Sequence, residues 1–207
     1  MEKQPVKRSD GLRTISKIVE FAAKELDEVG AVQFNLDRVI EKSGVSRGSI
    51  YHHFGDRDGL IVAVEVSETV QILTSGNERI RRLFTEADSG EEIIQGIESA
   101  LRTGNQGRGP NYRRRRIAGL ATAQHSQAIA QALAEVQVSE TAYFVETLRM
   151  GADKGLIQPR ESLIGTADVI QSLLVGRILV DILNDEERDE TWVLASVEVF
   201  RALLRPQ

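Results

Sequence analysis

The sequence contains no cysteine, and this absence excludes disulfide bonds and thiolate metal sites. Only four prolines occur in 207 residues, and no segment sustains the apolar–polar alternation of a strand. The most apolar stretch, residues 172–183, is interrupted by Arg177 and Asp181, so we expect it to be too short and too charged to span a membrane. Residues 1–10 lack the apolar segment of a signal peptide. These absences predict a cytoplasmic, all-α protein.

Sequence patterns of catalytic sites are also missing. We find no nucleophile elbow, no HExxH zinc motif, no phosphate-binding loop and no paired carboxylates beside a histidine. The adjacent His52 and His53 would project about 100° apart on a helix, with no third ligand near them in sequence. We therefore expect neither an enzyme nor a resident cofactor or metal ion.

The net charge of −5 argues against general coating of nucleic acid, but its distribution is uneven. Residues 1–60 hold ten Lys or Arg and ten Asp or Glu, so the whole negative excess lies after residue 60. If the first sixty residues bind DNA, their geometry must concentrate the positive charge on one face.

Helical periodicity and capping residues divide the chain into helices and turns. Apolar residues three and four apart predict a first helix over residues 11–29, which Gly30 ends. Asn35 and Ser46 are suitable N-caps for two short helices, and Asp56 for a long helix over 57–84. Further helices are predicted at 91–102, 112–123, 126–154, 162–184 and 189–204, with a loop at 104–111.

The two short helices and the turn between them predict a helix-turn-helix. Gly44 supplies the positive φ that the turn requires, and Ile50 and Phe54 give the second helix an inward apolar stripe. Its other face carries hydrogen-bond donors, which suit the phosphate oxygens and base edges of B-DNA. The donors are Arg47, Ser49, Tyr51, His52 and His53.

Residues 18–60 resemble the DNA-binding domain of the TetR family of transcriptional regulators. The run Gly44-Val45-Ser46, Ser49-Ile50-Tyr51 and His53-Phe54 carries most of the resemblance. Further matching residues are Ala22, Ala23, Leu26, Gly30, Leu36, Val39, Arg57 and Leu60. The resemblance implies a homodimer with a C-terminal helical domain that binds a small molecule and controls release from DNA.

The matched positions imply the DNA contacts. Tyr51, His53, Asn35 and Arg57 match positions that bind phosphates, whereas Arg47 matches one that reaches base edges. Ser46, Gly48, Ser49 and His52 complete the predicted DNA-binding set, with Gly48 allowing the backbone to approach DNA. The alternative for Tyr51 is a half-buried packing role, and for His53 a surface histidine without function.

A few residues depart from the family pattern. Asn35 replaces the usual threonine cap, Arg57 replaces lysine, and Ile40 stands where a small residue is usual. Gly59, in the first turn of the long helix, is expected to weaken that helix locally, so that alanine there would stiffen it. We place the domain boundary between residues 56 and 57, giving a DNA-binding domain at 1–56 and a ligand-binding and dimerisation domain at 57–207.

Four consecutive arginines, Arg113 to Arg116, begin the helix predicted at 112–123. The ordinary interpretation is a solvated face with local ion pairs. The alternatives are contact with the DNA-binding domain or with an anionic ligand group. We take Arg113, Arg116, His125 and Tyr143 as candidate ligand contacts, although His125 also suits a capping or core position.

The helices within residues 162–204 are apolar on two sides, so they need two partners. One is the domain core and the other a second subunit, the alternative being a thicker monomeric core. We therefore expect a homodimer that binds a palindromic operator and is released by an unidentified small molecule. The alternatives are a vestigial helix-turn-helix on a ligand-binding dimer, an activator, and regulation by a protein partner.

Overall fold

The computed structural model describes residues 6–104, 109–160 and 162–207. In these residues the chain forms helices joined by short turns, with one isolated antiparallel bridge between Ile157 and Pro206. The all-α prediction is confirmed. The helices are α1 Val6–Gln33, α2 Leu36–Ser43, α3 Arg47–Phe54, α4 Arg57–Glu86, α5 Gly90–Thr103, α6 Gly109–Ala123, α7 Gln127–Asp153, α8 Leu163–Gly176, α9 Ile178–Asp181 and α10 Glu186–Leu204.

Several boundaries differ from the predicted ones. The helix α1 begins at Val6, and Gly30 interrupts it with φ 73° before a last turn to Gln33. Part of the loop predicted at 104–111 lies outside the described residues, and α6 already begins at Gly109. The helix predicted at 162–184 is divided at Arg177 into α8 and α9.

The chain forms two compact units. The first unit comprises Met1–Glu68 and Thr122–Leu133, and the second comprises Thr69–Ala121 and Ala134–Gln207. The division falls within α4, whose Leu60, Ile61 and Val64 are buried in the core of the first unit. The predicted boundary between residues 56 and 57 stays a prediction.

The core of the first unit is built mainly from the inward faces of α1 to α4. Ile18 and Ala22 of α1, Val39 of α2 and Ile50 of α3 are fully buried in it. Ile129 and Leu133, at the start of α7, are buried in the same core. Sequence periodicity did not reveal this contribution, because it shows that a helix has an apolar face but not which core covers that face.

The core of the second unit joins residues from α4, α5, α7, α8 and α10. Phe84, Ile93, Leu148, Ile170 and Leu204 are buried in it almost completely. At one end, Gly90 donates a backbone hydrogen bond to Gln207 O over 3.1 Å, and Gln207 donates one to Leu156 O over 3.0 Å. These bonds hold the C-terminus against the start of α5.

A different kind of surface is present on α8, α9, α10 and the turn between α9 and α10, where large apolar side chains remain exposed. Leu179 and Ile182 are 69% and 66% exposed. Others are Ile164, Val169, Leu174, Leu183, Leu194 and Val199. By length and composition alone, Leu163–Asp181 could cross a membrane, so the stretch is longer and more apolar than we predicted from sequence. Only 22% of it is buried within this chain, which leaves one side of the helix without a partner.

Gly59 has a role opposite to the one expected from sequence. A Cβ atom added there would lie 2.0 Å from the backbone oxygen of Phe54, far inside van der Waals contact. The position is therefore glycine because α3 packs closely against the start of α4. Alanine would displace the backbone rather than stiffen the helix, so the expectation for Gly59→Ala was wrong.

Candidate functional site

The caps of the helix-turn-helix form as the sequence predicts. Asn35 accepts a hydrogen bond from the Asp37 amide over 2.9 Å at the start of α2. Ser46 accepts one from the Ser49 amide over 3.2 Å at the start of α3. Between the two helices Gly44 adopts φ 65°, a left-handed conformation that few side chains tolerate. These local bonds fix the angle at which α3 leaves the turn.

The helix α3 has one buried side and one open side. Ile50 is fully buried, whereas Arg47, Tyr51 and His52 are exposed, Tyr51 by 46%. The space around Gly48 is empty to at least 4 Å from where a Cβ would stand. The open side therefore presents a guanidinium, a phenol and an imidazole beside accessible backbone, as a helix in the major groove would require.

His53 and Ser49 occupy the flanks of this open side and are half-buried. The rings of His52 and His53 meet edge to face with centroids 4.9 Å apart, and His53 contacts Phe54 in the same way at 6.2 Å. His53 therefore lies between the apolar side and the open side of α3. Its predicted phosphate contact stays a prediction.

Arg47 forms an ion pair with Asp37 of α2. The two side chains are 55% and 70% exposed, so water and salt screen this pair strongly. An exposed pair of this kind stabilises a protein by about 0–1 kcal/mol. A bidentate contact between the guanidinium and guanine can therefore replace the ion pair. The pair thus keeps the guanidinium near the open side of α3 but is weak enough to be exchanged for another partner.

Arg57 is bound within the protein more completely than predicted. Its Nε donates to Phe34 O over 3.2 Å, one terminal nitrogen donates to Asp58 over 2.7 Å, and the other donates to Ala31 O. The guanidinium also lies over the Phe34 ring, 5.6 Å from its centre. Arg57 therefore connects the start of α4 to the end of α1, and its predicted phosphate contact stays a prediction.

Sequence analysis missed a buried carboxylate beneath the helix-turn-helix. Glu25 of α1 is completely buried and accepts hydrogen bonds from Arg38 over 3.1 Å and Lys42 over 3.3 Å. Lys42 also binds Glu28 over 3.0 Å, and its hydrogen bonds to Glu28 and Glu25 raise the pKa of the amine. These contacts join α1 to α2. The detectable signal was an acidic residue among the apolar positions of α1, between Ala22 and Leu26.

In the second unit, the four arginines of α6 have different surroundings. Because α6 begins at Gly109, they occupy its second turn, beyond the strongest field of the helix dipole. Arg113 forms a two-point ion pair with Asp181, with its Nε 2.5 Å and its Nη2 2.8 Å from the carboxylate oxygens. Arg114 is exposed, while burial lowers the pKa of the half-buried Arg115. Arg113 is therefore part of the internal structure of this unit.

Asp181 also faces Arg177, which is only 2% exposed. The Arg177 guanidinium donates to Leu101 O over 3.0 Å, lies 3.5 Å from Asp189 and stacks over Trp192 at 4.3 Å. Two cations and two carboxylates thus balance one another inside the second unit. The cluster was not predicted, because Arg113 is 68 residues from Asp181 in sequence and the spacing of Arg177 and Asp181 does not show that both side chains turn inward.

Arg116 has no such balance. One terminal nitrogen donates to Gln137, but Nε and Nη1 are buried and lack a hydrogen-bond partner. Within the described ranges no carboxylate forms an ion pair with it, and burial lowers the pKa of the guanidinium. Of the four candidate ligand residues, Arg116 alone combines a buried cationic group with unused donors.

The remaining candidate ligand residues, Tyr143 and His125, differ from Arg116 either in their contacts or in the unit to which they belong. Tyr143 is exposed, and its ring lies beneath the guanidinium of Arg81 at 5.2 Å. His125 is exposed in the turn between α6 and α7 and belongs to the first unit. The structure therefore does not place the four candidates in a single cluster within either unit.

Comparison with known families locates the same segment that carries the helix-turn-helix. The sequence model for "Bacterial regulatory proteins, tetR family" matches residues 18–64. The chain is 29% identical over 89 residues to the HTH-type transcriptional regulator BetI of Stenotrophomonas maltophilia. That alignment covers 43% of this chain and 39% of BetI, so the chain matches about two fifths of that relative's length.

Solved structures resemble the fold over nearly the whole chain. A candidate TetR-family regulator from Mesorhizobium loti has TM-score 0.73 and 20% identity, covering 93% of this chain and 96% of its own. A TetR-family transcriptional regulator from Cytophaga hutchinsonii has TM-score 0.71 and 14% identity with both chains fully covered. A TetR transcription regulator from Haloarcula marismortui has TM-score 0.68 and 14% identity over 93% and 98% of the two chains. At these identities the likeness establishes the fold.

Proposed function

We propose a function for the whole chain from the premise that it belongs to the TetR family of transcriptional regulators, whose DNA-binding domain matches residues 18–64. The chain acts as a homodimer that represses transcription by binding a near-palindromic operator. A small molecule that binds the second unit releases it from DNA. The protein works in the cytoplasm, where the operator is.

One observation carries the DNA-binding part of this proposal, namely the open side of α3. It combines exposed donors with an accessible backbone at Gly48 on a helix that is fixed by caps at both ends of the turn. The width of the major groove admits one such helix. Arg47 is the base-reading residue, since a guanidinium can donate two parallel hydrogen bonds to guanine.

The other predicted residues contact the DNA backbone. Tyr51, His52 and His53 point from the exposed side and flank of α3, where phosphate oxygens accept hydrogen bonds. Ser49 and the caps Asn35 and Ser46 lie at the helix starts nearest the groove, where amide groups favour anions. Arg57 supports them by fixing α4 to α1, and it contacts a phosphate only if its internal hydrogen bonds open.

The exposed apolar face of α8, α9 and α10 supports dimerisation through residues 162–204. Leu179, Ile182 and Leu194 lose contact with water when a second copy covers them, and each large apolar side chain then contributes about 1.5–3 kcal/mol. A two-fold dimer presents two α3 helices to successive major grooves, about 34–36 Å apart. The operator half-sites should therefore be inverted and one helical turn apart.

Selection from a random duplex library, followed by titration of the selected duplex at several salt concentrations, tests the DNA-binding proposal. We expect inverted half-sites and an affinity that falls steeply as the salt concentration rises, because the release of counterions from DNA then becomes less favourable. Arg47→Ala should cost about 1–3 kcal/mol and relax the preference at one base pair of each half-site. The control Arg79→Ala removes an exposed arginine of the second unit and should leave the preference unchanged. Selection of no common sequence, or equal losses for the two variants, would reject the assignment of α3.

Sedimentation measures the dimer separately. Ile182→Arg places a charge in the apolar face and should produce monomers, whereas Glu187→Arg changes charge at an exposed position outside that apolar set and should not. A wild-type chain that remains monomeric at micromolar concentration would contradict dimerisation. A ligand-binding dimer with an inactive helix-turn-helix would be recognised by normal sedimentation and no DNA selection.

A further inference from the structure

The surroundings of Arg116 contain more hydrogen-bond donors than acceptors. Arg116 donates to the side-chain oxygen Oε1 of Gln137, whose side-chain nitrogen Nε2 donates to the Thr141 hydroxyl over 2.9 Å and to Oε1 of Gln171 over 2.7 Å. The Thr141 hydroxyl donates to the same Gln171 oxygen over 3.0 Å. These bonds join α6, α7 and α8 within the second unit.

Within the described part of the chain, the network has no free acceptors for its remaining donors. The side-chain oxygens of Gln137, Thr141 and Gln171 already accept hydrogen bonds. Nε and Nη1 of Arg116 are buried without a partner. Gln171 uses its side-chain oxygen in this network, and its amide nitrogen donates no hydrogen bond to another described residue. Nε carries one hydrogen and Nη1 two, so at least three donors of the guanidinium remain available.

The charge of the network is also unbalanced. In the same helix, Arg113 is neutralised by Asp181, which in turn faces Arg177, with Asp189 near Arg177. Arg116 has no carboxylate at ion-pair distance among the described residues, although its unused donors are buried. Burial of a cation without an anion is costly, so such a site is completed by a group that brings negative charge and only acceptors.

We infer that Arg116 and Gln171, supported by Gln137 and Thr141, bind the carboxylate of a small organic acid. This inference rests on the proposed function, because it names the chemical class of the small molecule that acts on the second unit. A carboxylate is acceptor-only when ionised and offers two oxygens to the guanidinium. It also carries one negative charge, which balances Arg116, whereas a phosphate dianion would leave an excess negative charge in a half-buried site.

Thermal unfolding of the full-length protein in increasing sodium acetate or sodium benzoate tests the inference, with sodium chloride keeping the ionic strength constant. We expect at least one carboxylate to raise the Tm with saturation, as a ligand of the folded state does. Benzamide, which has nearly the shape of benzoate without its charge, should have no such effect. A rise with sodium phosphate but with neither carboxylate would overturn the choice of carboxylate, and no saturable rise with any anion would overturn the site.

Two arginine variants test whether Arg116 is the residue that binds the carboxylate. Arg116→Gln should raise the half-saturating concentration of the active carboxylate at least tenfold. Its matched control, Arg114→Gln, removes an equal charge from an exposed neighbour and should reproduce the wild-type curve. Equal shifts in the two variants would reduce the effect to general electrostatics and overturn the site.

Thermal unfolding without any added carboxylate or phosphate tests whether Arg116 binds a ligand or only stabilises the fold. Arg116→Met removes an unbalanced buried charge and should leave the Tm unchanged or higher, whereas Arg113→Met leaves Asp181 without its closest cation and should lower it. A fall in Arg116→Met as large as that in Arg113→Met would overturn the inference.

Measuring operator binding with the same protein samples distinguishes a failure of the ligand proposal from a failure of the DNA-binding proposal. If the wild type binds its selected duplex but responds to neither carboxylate, the ligand class is wrong and the DNA-binding function stands. If a carboxylate saturates the protein while no duplex is selected, the DNA-binding function is wrong and the anion site stands.

Discussion

Two arginine–aspartate pairs, one in each unit, show how differently the same chemistry is used in this molecule. Arg47 and Asp37 are 55% and 70% exposed in the helix-turn-helix, whereas Arg113 and Asp181 are 16% and 4% exposed in the second unit. An exposed pair can be exchanged for DNA at little cost, because water already solvates both charges. A buried pair cannot be exchanged, because each charge depends on the other for its solvation.

The largest difference between the two pairs is expected when the carboxylate of Asp181 is removed. Asp181→Ala leaves Arg113 and the almost fully buried Arg177 without their shared carboxylate, so we expect a loss of about 3–5 kcal/mol in unfolding free energy. Asp37→Ala, its matched control in the exposed pair, should cost about 0–1 kcal/mol. Urea titration measures both, and similar losses would mean that burial does not distinguish the pairs.

Among the described residues, one buried acid has no cation beside it and so contrasts with both pairs. Glu65 of α4 is 7% exposed, and its burial, together with the charge of Glu68, raises its pKa to about 7. Because the folded protein holds this proton more tightly than the unfolded chain, the contribution of Glu65 to stability is greatest below pH 4.5 and is lost as the pH rises to about 7.

Glu65→Gln should remove this loss. We expect the variant to be more stable than the wild type at pH 8, on the order of 2 kcal/mol, and similar to it near pH 4. Unfolding titrations of both proteins at the two pH values give the difference directly. A variant that is less stable at pH 8 would show that ionised Glu65 is solvated well in the folded state.

Effects of similar or smaller size are expected at two glycines of α4. Gly59→Ala should destabilise the protein by about 1–3 kcal/mol, because its Cβ would collide with the backbone oxygen of Phe54. Gly76→Ala meets no atom within 4 Å in the same helix and should stabilise by about 1 kcal/mol through helix propensity. Thermal unfolding compares the two, and stabilisation by Gly59→Ala would restore the role that sequence alone suggested for this residue.

Features that depend on neighbours in sequence could be predicted well. The caps at Asn35 and Ser46 and the turn at Gly44 form as expected, since each needs only residues two or three positions away. The family resemblance of residues 18–60 is confirmed by the match at 18–64. The division of the apolar helix at Arg177 was missed, because periodicity did not show that this arginine turns inward to Leu101 and Trp192.

The helical class, the helix-turn-helix and the side of α3 that carries its donors can be predicted from the sequence alone, because they follow from periodicity and short-range hydrogen bonds. The packing of the helices sets which charges are buried and which partner each one has. It paired Arg113 with Asp181, 68 residues away, and left the buried donors of Arg116 without a carboxylate among the described residues. The reason is physical, since the free energy of a charge depends on its solvation and nearby countercharges, and folding sets both.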